Sequence, residues 1–161
     1  MGGLEYAQQT GAAAIGFSCN EASPLEAVSD FVICTVVGPE VLTGSTRMKA
    51  GTATKLVLNT ITTAAMVLLG KTFGNLMVDL SATNSKLKDR SARIVCRLTG
   101  VEREKADQVL AACNGDLKTA IVSETRNVTP EAARELLKKS NGHLRAAIAD
   151  DNDVIRDAKQ S

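Results

Sequence analysis

The residues best suited to chemistry lie in one stretch, GPEVLTGSTRMKAGTATK, at residues 38–55. Its candidate ligand-binding side chains are those of Thr43, Ser45, Thr46, Arg47 and Lys49. They stand where a long helix is predicted to begin, and the unpaired amides and dipole of a helix start favour an anion. Glycines such as Gly44 let a ligand approach the backbone closely. We therefore predict that this stretch binds an anionic, phosphorylated small molecule.

A structural interpretation of the same stretch stays open. A hydroxyl at Ser45 or Thr46 can simply cap the helix while Arg47 and Lys49 reach solvent. Glu40 is a further candidate ligand-facing residue, although the sequence favours a carboxylate that organises the loop over a catalytic one. The nucleotide patterns G-x-x-x-x-G-K-S/T and G-x-G-x-x-G are absent, which disfavours ATP and dinucleotides as ligands.

The composition disfavours several other partners. Lysine and arginine total 19 against 18 acidic residues, so no global field attracts nucleic acid or an anionic membrane. Aromatic residues for base stacking are scarce, and tryptophan is absent. His143 is the only histidine and the cysteines form no C-x-x-C pair, so no metal site is predicted. The most apolar run, residues 56–69, is shorter than the roughly 20 residues that span a bilayer. A cytoplasmic location is therefore predicted.

Apolar runs predict an α/β segment. Residues 12–18 and 31–37 are apolar, and the second run is rich in β-branched residues, as in strands covered on both faces of a parallel sheet. Residues 24–28 fit a short crossover helix, which completes a βαβ unit. A first helix is predicted at residues 4–9.

Two more helices are predicted after the candidate site. The long helix that begins within residues 38–55 ends near Gly70, and its polar surface is so small that we expect it to be central and buried. Residues 79–94 form a second, more highly charged helix.

From residue 101 the sequence repeats itself at an offset of 27 residues. The identical pairs are Val101/Val128, Glu104/Glu131, Ala106/Ala133, Leu110/Leu137, Asn114/Asn141, Gly115/Gly142, Leu117/Leu144, Ala120/Ala147 and Ile121/Ile148. Each copy predicts a helix, an Asn-Gly turn and a short second helix, with the leucines in a shared core. His143 follows the second turn and is expected to be exposed; the functional alternative is a lid residue that reaches a sugar in a partner subunit.

The sequence around the candidate site resembles a known family. The run GPEVLTGSTRMKAGTATKLVLN, with GKTFGNLMVDLSATN at residues 70–84, is similar to the N-acetylmuramic acid 6-phosphate etherases and the related glucokinase regulatory proteins. The similarity extends from GLEYAQQTG and GFSCN to the C-terminal repeat. It implies the C-terminal part of a sugar isomerase-type domain at residues 1–95, a helical ubiquitin-associated-like module at residues 96–150, and a polar tail at residues 151–161.

The resemblance also implies a function. The etherases cleave the D-lactyl ether of N-acetylmuramic acid 6-phosphate, giving N-acetylglucosamine 6-phosphate and D-lactate in cell-wall recycling. In the family, elimination of lactate precedes addition of water and uses no metal or organic cofactor, so the chemistry needs a base and an acid. The implied fold is a parallel sheet between helices, usually in a homodimer with shared active sites. The alternative is a non-catalytic phosphosugar-binding regulatory protein.

The sequence departs from the family at its front end. The glycine- and serine-rich phosphate loop and the two glutamates associated with acid/base work have no counterparts, so the catalytic residues are unknown. Activity from this chain alone is therefore not expected, and the predicted partners are a second copy in a homodimer or the missing N-terminal half in trans. A partial sheet is also expected to expose an unpaired edge and an uncovered apolar face. A third interpretation is an isolated helical interaction module on a degenerate sheet.

Overall fold

The computed structural model of the chain describes residues 2–80 and 82–149. The chain divides into two compact units, Met1–Thr63 and Ala64–Ser161. The architecture is mixed α/β and mainly helical, which confirms the predicted fold class at this level. The sequence-based domain boundary at residues 95/96 stays a prediction, and the predicted tail at residues 151–161 lies outside the described residues.

The first unit contains a small parallel sheet. Strands β1 (Ile15–Ser18) and β2 (Phe31–Cys34) pair in parallel, with Ile15 opposite Phe31. A 3₁₀ helix at Pro24–Val28 connects them, and Ser23 caps it. The predicted βαβ unit is therefore confirmed, including the position of its crossover.

The carboxylate of Asp30 joins the start of β2 to the chain before β1. One of its oxygens accepts the Ala14 amide N–H at 2.7 Å, and the other accepts the Gln8 side-chain amide at 3.1 Å. Gln8 lies on helix α1 (Gly2–Gln9), which covers the helix predicted at residues 4–9. These bonds to a charged acceptor fix α1 relative to the sheet.

Helix α2 (Lys49–Leu68) has the predicted position but not the predicted burial. None of its residues is buried, and Leu68 is 77% exposed. The expectation of a central buried helix is therefore wrong for this chain. A helix that is apolar on every side is buried only where other elements cover every side, and two strands with one 3₁₀ helix are too few. The uncovered apolar face expected from the partial sheet is present, since Phe31 on β2 is also exposed.

The second unit holds the hydrophobic core. Its elements after α2 are β3 (Thr72–Phe73), β4 (Leu76–Met77), α3 (Ser85–Thr99), α4 (Arg103–Ala112), α5 (Leu117–Arg126), α6 (Pro130–Lys139) and α7 (Leu144–Ile148). Strands β3 and β4 form an antiparallel hairpin that the sequence analysis missed. Helix α5 packs against α3, α4, α6 and α7 and is therefore central to this unit.

Helix α3 begins later than predicted. Asn84 caps it by accepting the Leu87 amide N–H at 2.9 Å, so the helix starts at Ser85 rather than at residue 79. It continues past residue 94 until Gly100, whose φ of 76° ends the last turn in the left-handed conformation.

The two Asn-Gly turns have the same backbone conformation. Asn114 and Gly115 have φ of 56° and 78°, and Asn141 and Gly142 have φ of 50° and 77°. Both turns connect a ten-residue helix to a following helix, as the internal offset predicts. The repeated leucines are buried, as expected: Leu110, Leu117, Leu137 and Leu144.

Within the described ranges, no helix combines the length and the apolar composition needed to cross a membrane.

Replacing Leu117 by alanine should destabilise the second unit by about 2–5 kcal/mol, because this side chain is 1% exposed and its loss leaves a cavity. Chemical denaturation followed by circular dichroism measures the change. The matched control is Leu68→Ala at the exposed end of α2, which should cost less than about 0.5 kcal/mol. Equal losses in both variants would contradict the assignment of the core.

Candidate functional site

The start of α2 is held by the side chain of Glu40. Its Oε2 accepts the Lys49 amide N–H at 3.0 Å, and its Oε1 accepts the Ala50 amide N–H at 3.0 Å. The Lys49 ammonium donates in turn to the carbonyl oxygen of Pro39 at 3.0 Å. These three bonds close the loop at residues 38–48 onto the helix that follows it.

The next two amides of α2 are also paired. The Gly51 amide donates to the Thr46 carbonyl and the Thr52 amide to the Met48 carbonyl, both at 2.9 Å. Unpaired amides were expected at this helix start from the sequence, and this expectation is wrong because the amides of residues 49–52 are paired. Negative charge does meet the positive end of the helix dipole, but Glu40 supplies it. An external anion reaches the amides of Lys49 and Ala50 only by displacing that carboxylate.

These hydrogen bonds act on the ionisation of Glu40. The Ala50 amide and then the Lys49 amide stabilise the charged carboxylate and lower its pKa below the ordinary value of 4.5. The charge of Lys49 acts in the same direction, whereas desolvation opposes it. Glu40 is therefore ionised at neutral pH and serves as an acceptor in the loop.

The loop keeps several unused donors. In the part of the chain that the structure describes, the side chains of Thr43, Ser45, Thr46 and Arg47 form no hydrogen bond or ion pair. Ser45 is half-buried, and the other three are exposed. Gly44 has a φ of 83°, in a turn closed by the Ser45 amide and the Leu42 carbonyl at 3.0 Å. The structure thus brings these residues into one loop, and whether they bind a ligand stays a prediction.

The same loop also exposes apolar side chains. Val41 is 84% exposed, and Leu42 and Met48 are exposed as well. An exposed surface that combines hydroxyls, a guanidinium and apolar groups suits recognition of a ligand or of another polypeptide more than it suits contact with water alone.

The second unit contains a cleft that was not predicted from the sequence. It has a volume of about 780 Å³ and is lined by residues of α3 and α4, among them Lys88, Ser91 and Asp107. The Ser91 hydroxyl is buried and has no hydrogen-bond partner among the residues that the structure describes. None of the candidate residues at 40–49 lines this cleft. A serine on the inner side of a charged helix carries no periodic signal that would have marked it.

Glu40→Gln should reduce the protection of the Lys49 and Ala50 amides from hydrogen exchange, because a neutral amide oxygen is a weaker acceptor than a carboxylate. Since the folded loop lowers the pKa of Glu40, its contribution is complete above pH 4.5 and is lost as the pH falls through the lower folded value. The Gln variant should lack this pH dependence. The control is Glu26→Gln on the exposed 3₁₀ helix, and unchanged protection in the Glu40 variant would contradict the capping role.

Comparison with known proteins relates the chain to one family. No protein-family model matches it. It is 50% identical over 129 residues to an N-acetylmuramic acid 6-phosphate etherase of Rhodopirellula baltica, which covers 80% of this chain and 43% of that protein. It is 56% identical over 122 residues to N-acetylmuramic acid 6-phosphate etherase 1 of Vibrio cholerae, and this match covers 76% of this chain and 41% of that protein. It is 55% identical over 122 residues to the etherase of Mycolicibacterium smegmatis, with 76% and 41% covered. The chain spans about two fifths of the length of these relatives. The resemblance in its sequence is thus confirmed, and the chain is a homologue of part of the N-acetylmuramic acid 6-phosphate etherases.

Proposed function

We propose that the chain is the C-terminal part of an N-acetylmuramic acid 6-phosphate etherase. That enzyme is a carbon–oxygen lyase that cleaves the D-lactyl ether of its substrate in cell-wall amino-sugar recycling, in the cytoplasm. The observation that carries the proposal is the identity of 50–56% to relatives named for this activity over 76–80% of the chain.

The loop that Glu40 closes is the proposed contribution to the substrate site. The hydroxyls of Thr43, Ser45 and Thr46 and the guanidinium of Arg47 are the unused donors in this loop, and such donors suit the oxygens of a phosphorylated amino sugar. Gly44 gives the backbone the left-handed turn that presents them. Lys49 and Glu40 act in this proposal by holding the loop, and Lys49 also adds positive charge.

The exposed apolar surface of the first unit supports a need for further polypeptide. Phe31 on β2 and Leu56 and Leu58 on α2 are exposed. Each strand of the two-stranded sheet also has an unpaired edge. We infer that this unit is part of a sugar isomerase-type parallel sheet, completed by the rest of the etherase sequence in a homodimer or in trans. The helices after residue 95 form, in this proposal, the ubiquitin-associated-like repeat module.

A non-catalytic phosphosugar-binding regulatory protein is the second candidate. Glu40, the carboxylate of the described loop, is engaged by two amides and is not free to move protons. This observation favours binding over acid/base chemistry by the chain alone.

An activity assay separates the two candidates. The chain should release D-lactate from N-acetylmuramic acid 6-phosphate when it is mixed with a polypeptide that covers the rest of a relative's sequence, because the family's acid/base glutamates would then be present. The chain alone should release none. Binding of the phosphosugar without D-lactate from the mixture would contradict the etherase and support the regulatory protein.

The contribution of the loop is tested by Ser45→Ala. Loss of a hydroxyl that donates to the ligand should weaken binding of N-acetylglucosamine 6-phosphate by about 1–2 kcal/mol, measured by calorimetry on the mixture. Ser85→Ala, at the start of α3, is the matched control and should leave the affinity unchanged. An unchanged affinity for the Ser45 variant would remove this hydroxyl from the proposed site.

A further inference from the structure

A second cleft in the Ala64–Ser161 unit is lined by groups that suit an anion. It has a volume of about 280 Å³, and its polar lining comes from Thr72, His143 and Arg145. Among the described residues that line it, none is acidic. The cleft contains no residue of the 38–55 stretch, so it is a different place from the proposed phosphosugar loop.

The side chain of Arg145 lies over an aromatic ring. Its guanidinium carbon lies 5.1 Å from the centroid of the Phe73 ring, which is within cation–π range. Among the described residues it has no carboxylate partner. Several other cations of this unit do have one, among them Lys71 with Asp79 at 3.0 Å and Arg134 with Glu131 at 3.3 Å, whereas Lys88, like Arg145, has none among the described residues. Within the described ranges, no carboxylate therefore compensates the positive charge of Arg145 beside this cleft.

His143 is positioned by a close contact with Gly70. A Cβ at Gly70 would lie 2.8 Å from His143 Nδ1, so any side chain there would require the imidazole to shift. Gly70 also has a φ of 68°, a conformation that favours glycine. Glycine at this position thus leaves room for the imidazole, which lines the same cleft as Arg145. An imidazole N–H is a hydrogen-bond donor in the neutral and in the charged form.

We propose that this cleft binds the oxyanion group of a small metabolite, a phosphate or a carboxylate. The guanidinium of Arg145 is the main donor, because its planar fork matches two oxygens of such a group. The imidazole of His143 and the hydroxyl of Thr72 are the flanking donors. Phe73 holds the guanidinium plane and supplies an apolar wall.

The only histidine of the chain provides a direct probe of this site. Inorganic phosphate, added at constant pH and ionic strength, should produce a saturable shift of the His143 imidazole proton resonances. Potassium chloride at the same ionic strength, in place of phosphate, should produce no such shift, because screening depends only on ionic strength. D-lactate in a parallel titration distinguishes a carboxylate site from a phosphate site, and saturation by either one supports the proposal.

Arg145→Met removes the charge and keeps an apolar side chain over Phe73. The dissociation constant of the anion that saturates the site should rise by about tenfold or more, as expected for loss of a charge-assisted hydrogen bond. The matched control is Arg134→Met, since Arg134 lies on α6 and does not line the cleft. This control should leave the titration unchanged.

Thr72→Val provides a second variant if circular dichroism shows that the Arg145 variant does not fold. It should raise the dissociation constant of the same anion by a smaller factor. The proposal is overturned if neither phosphate nor D-lactate gives a saturable shift. It is equally overturned if the folded Arg145 variant binds the anion as tightly as the original chain.

Discussion

The candidate site depends on one contact, the carboxylate of Glu40 on the first two amides of α2. Because this contact joins residues nine and ten positions apart, it closes the intervening loop and determines where the loop side chains lie. It also accounts for the cation that begins the helix, Lys49, at a position where the helix dipole alone disfavours positive charge. The carboxylate offsets the positive helix end, and the Lys49 ammonium bonds to the Pro39 carbonyl rather than standing free. The start of α2 thus resembles an anion-binding site, but the Glu40 carboxylate already occupies the amides of Lys49 and Ala50.

Local patterns in the sequence predicted the elements well. The crossover at residues 24–28, the long helix before Gly70 and the two Asn-Gly turns follow from Pro, Gly and Asn positions and from apolar periodicity, which act over a few residues. Asn84 shows the limit of such patterns, because its capping bond starts α3 several residues later than the apolar pattern predicted. The β3–β4 hairpin was missed because strands of two residues give no alternation to detect.

The candidate site was predictable as a stretch of residues but not as an arrangement. The hydroxyls and cations at 43–49 are visible in the sequence, whereas the pairing of Glu40 with Lys49 and Ala50 is a loop closure without periodicity. The contact of His143 with Gly70 joins residues far apart in the chain and could not be inferred from either residue type. Burial of α2 was predicted wrongly for a similar reason, since the apolar content of a helix does not reveal how many elements cover it.

The two units differ in how their apolar residues are used. The buried cluster at the centre of the second unit, with Leu117, Ile121 and Leu144, gives it a packed interior. In the first unit Ala14 and Gly16 are the residues classed as buried among those described, while Phe31 and Leu56 face outward. Burial of apolar surface is the main favourable term in folding, so the first unit gains little of it from its own elements.

Because the first unit exposes apolar residues that a partner can cover, its free energy of unfolding depends on the concentration of such a partner. Any polypeptide that binds the folded form and not the unfolded one adds RT ln(1 + [L]/Kd) to the free energy of unfolding. The melting temperature of this unit is therefore expected to rise with the concentration of such a binding partner.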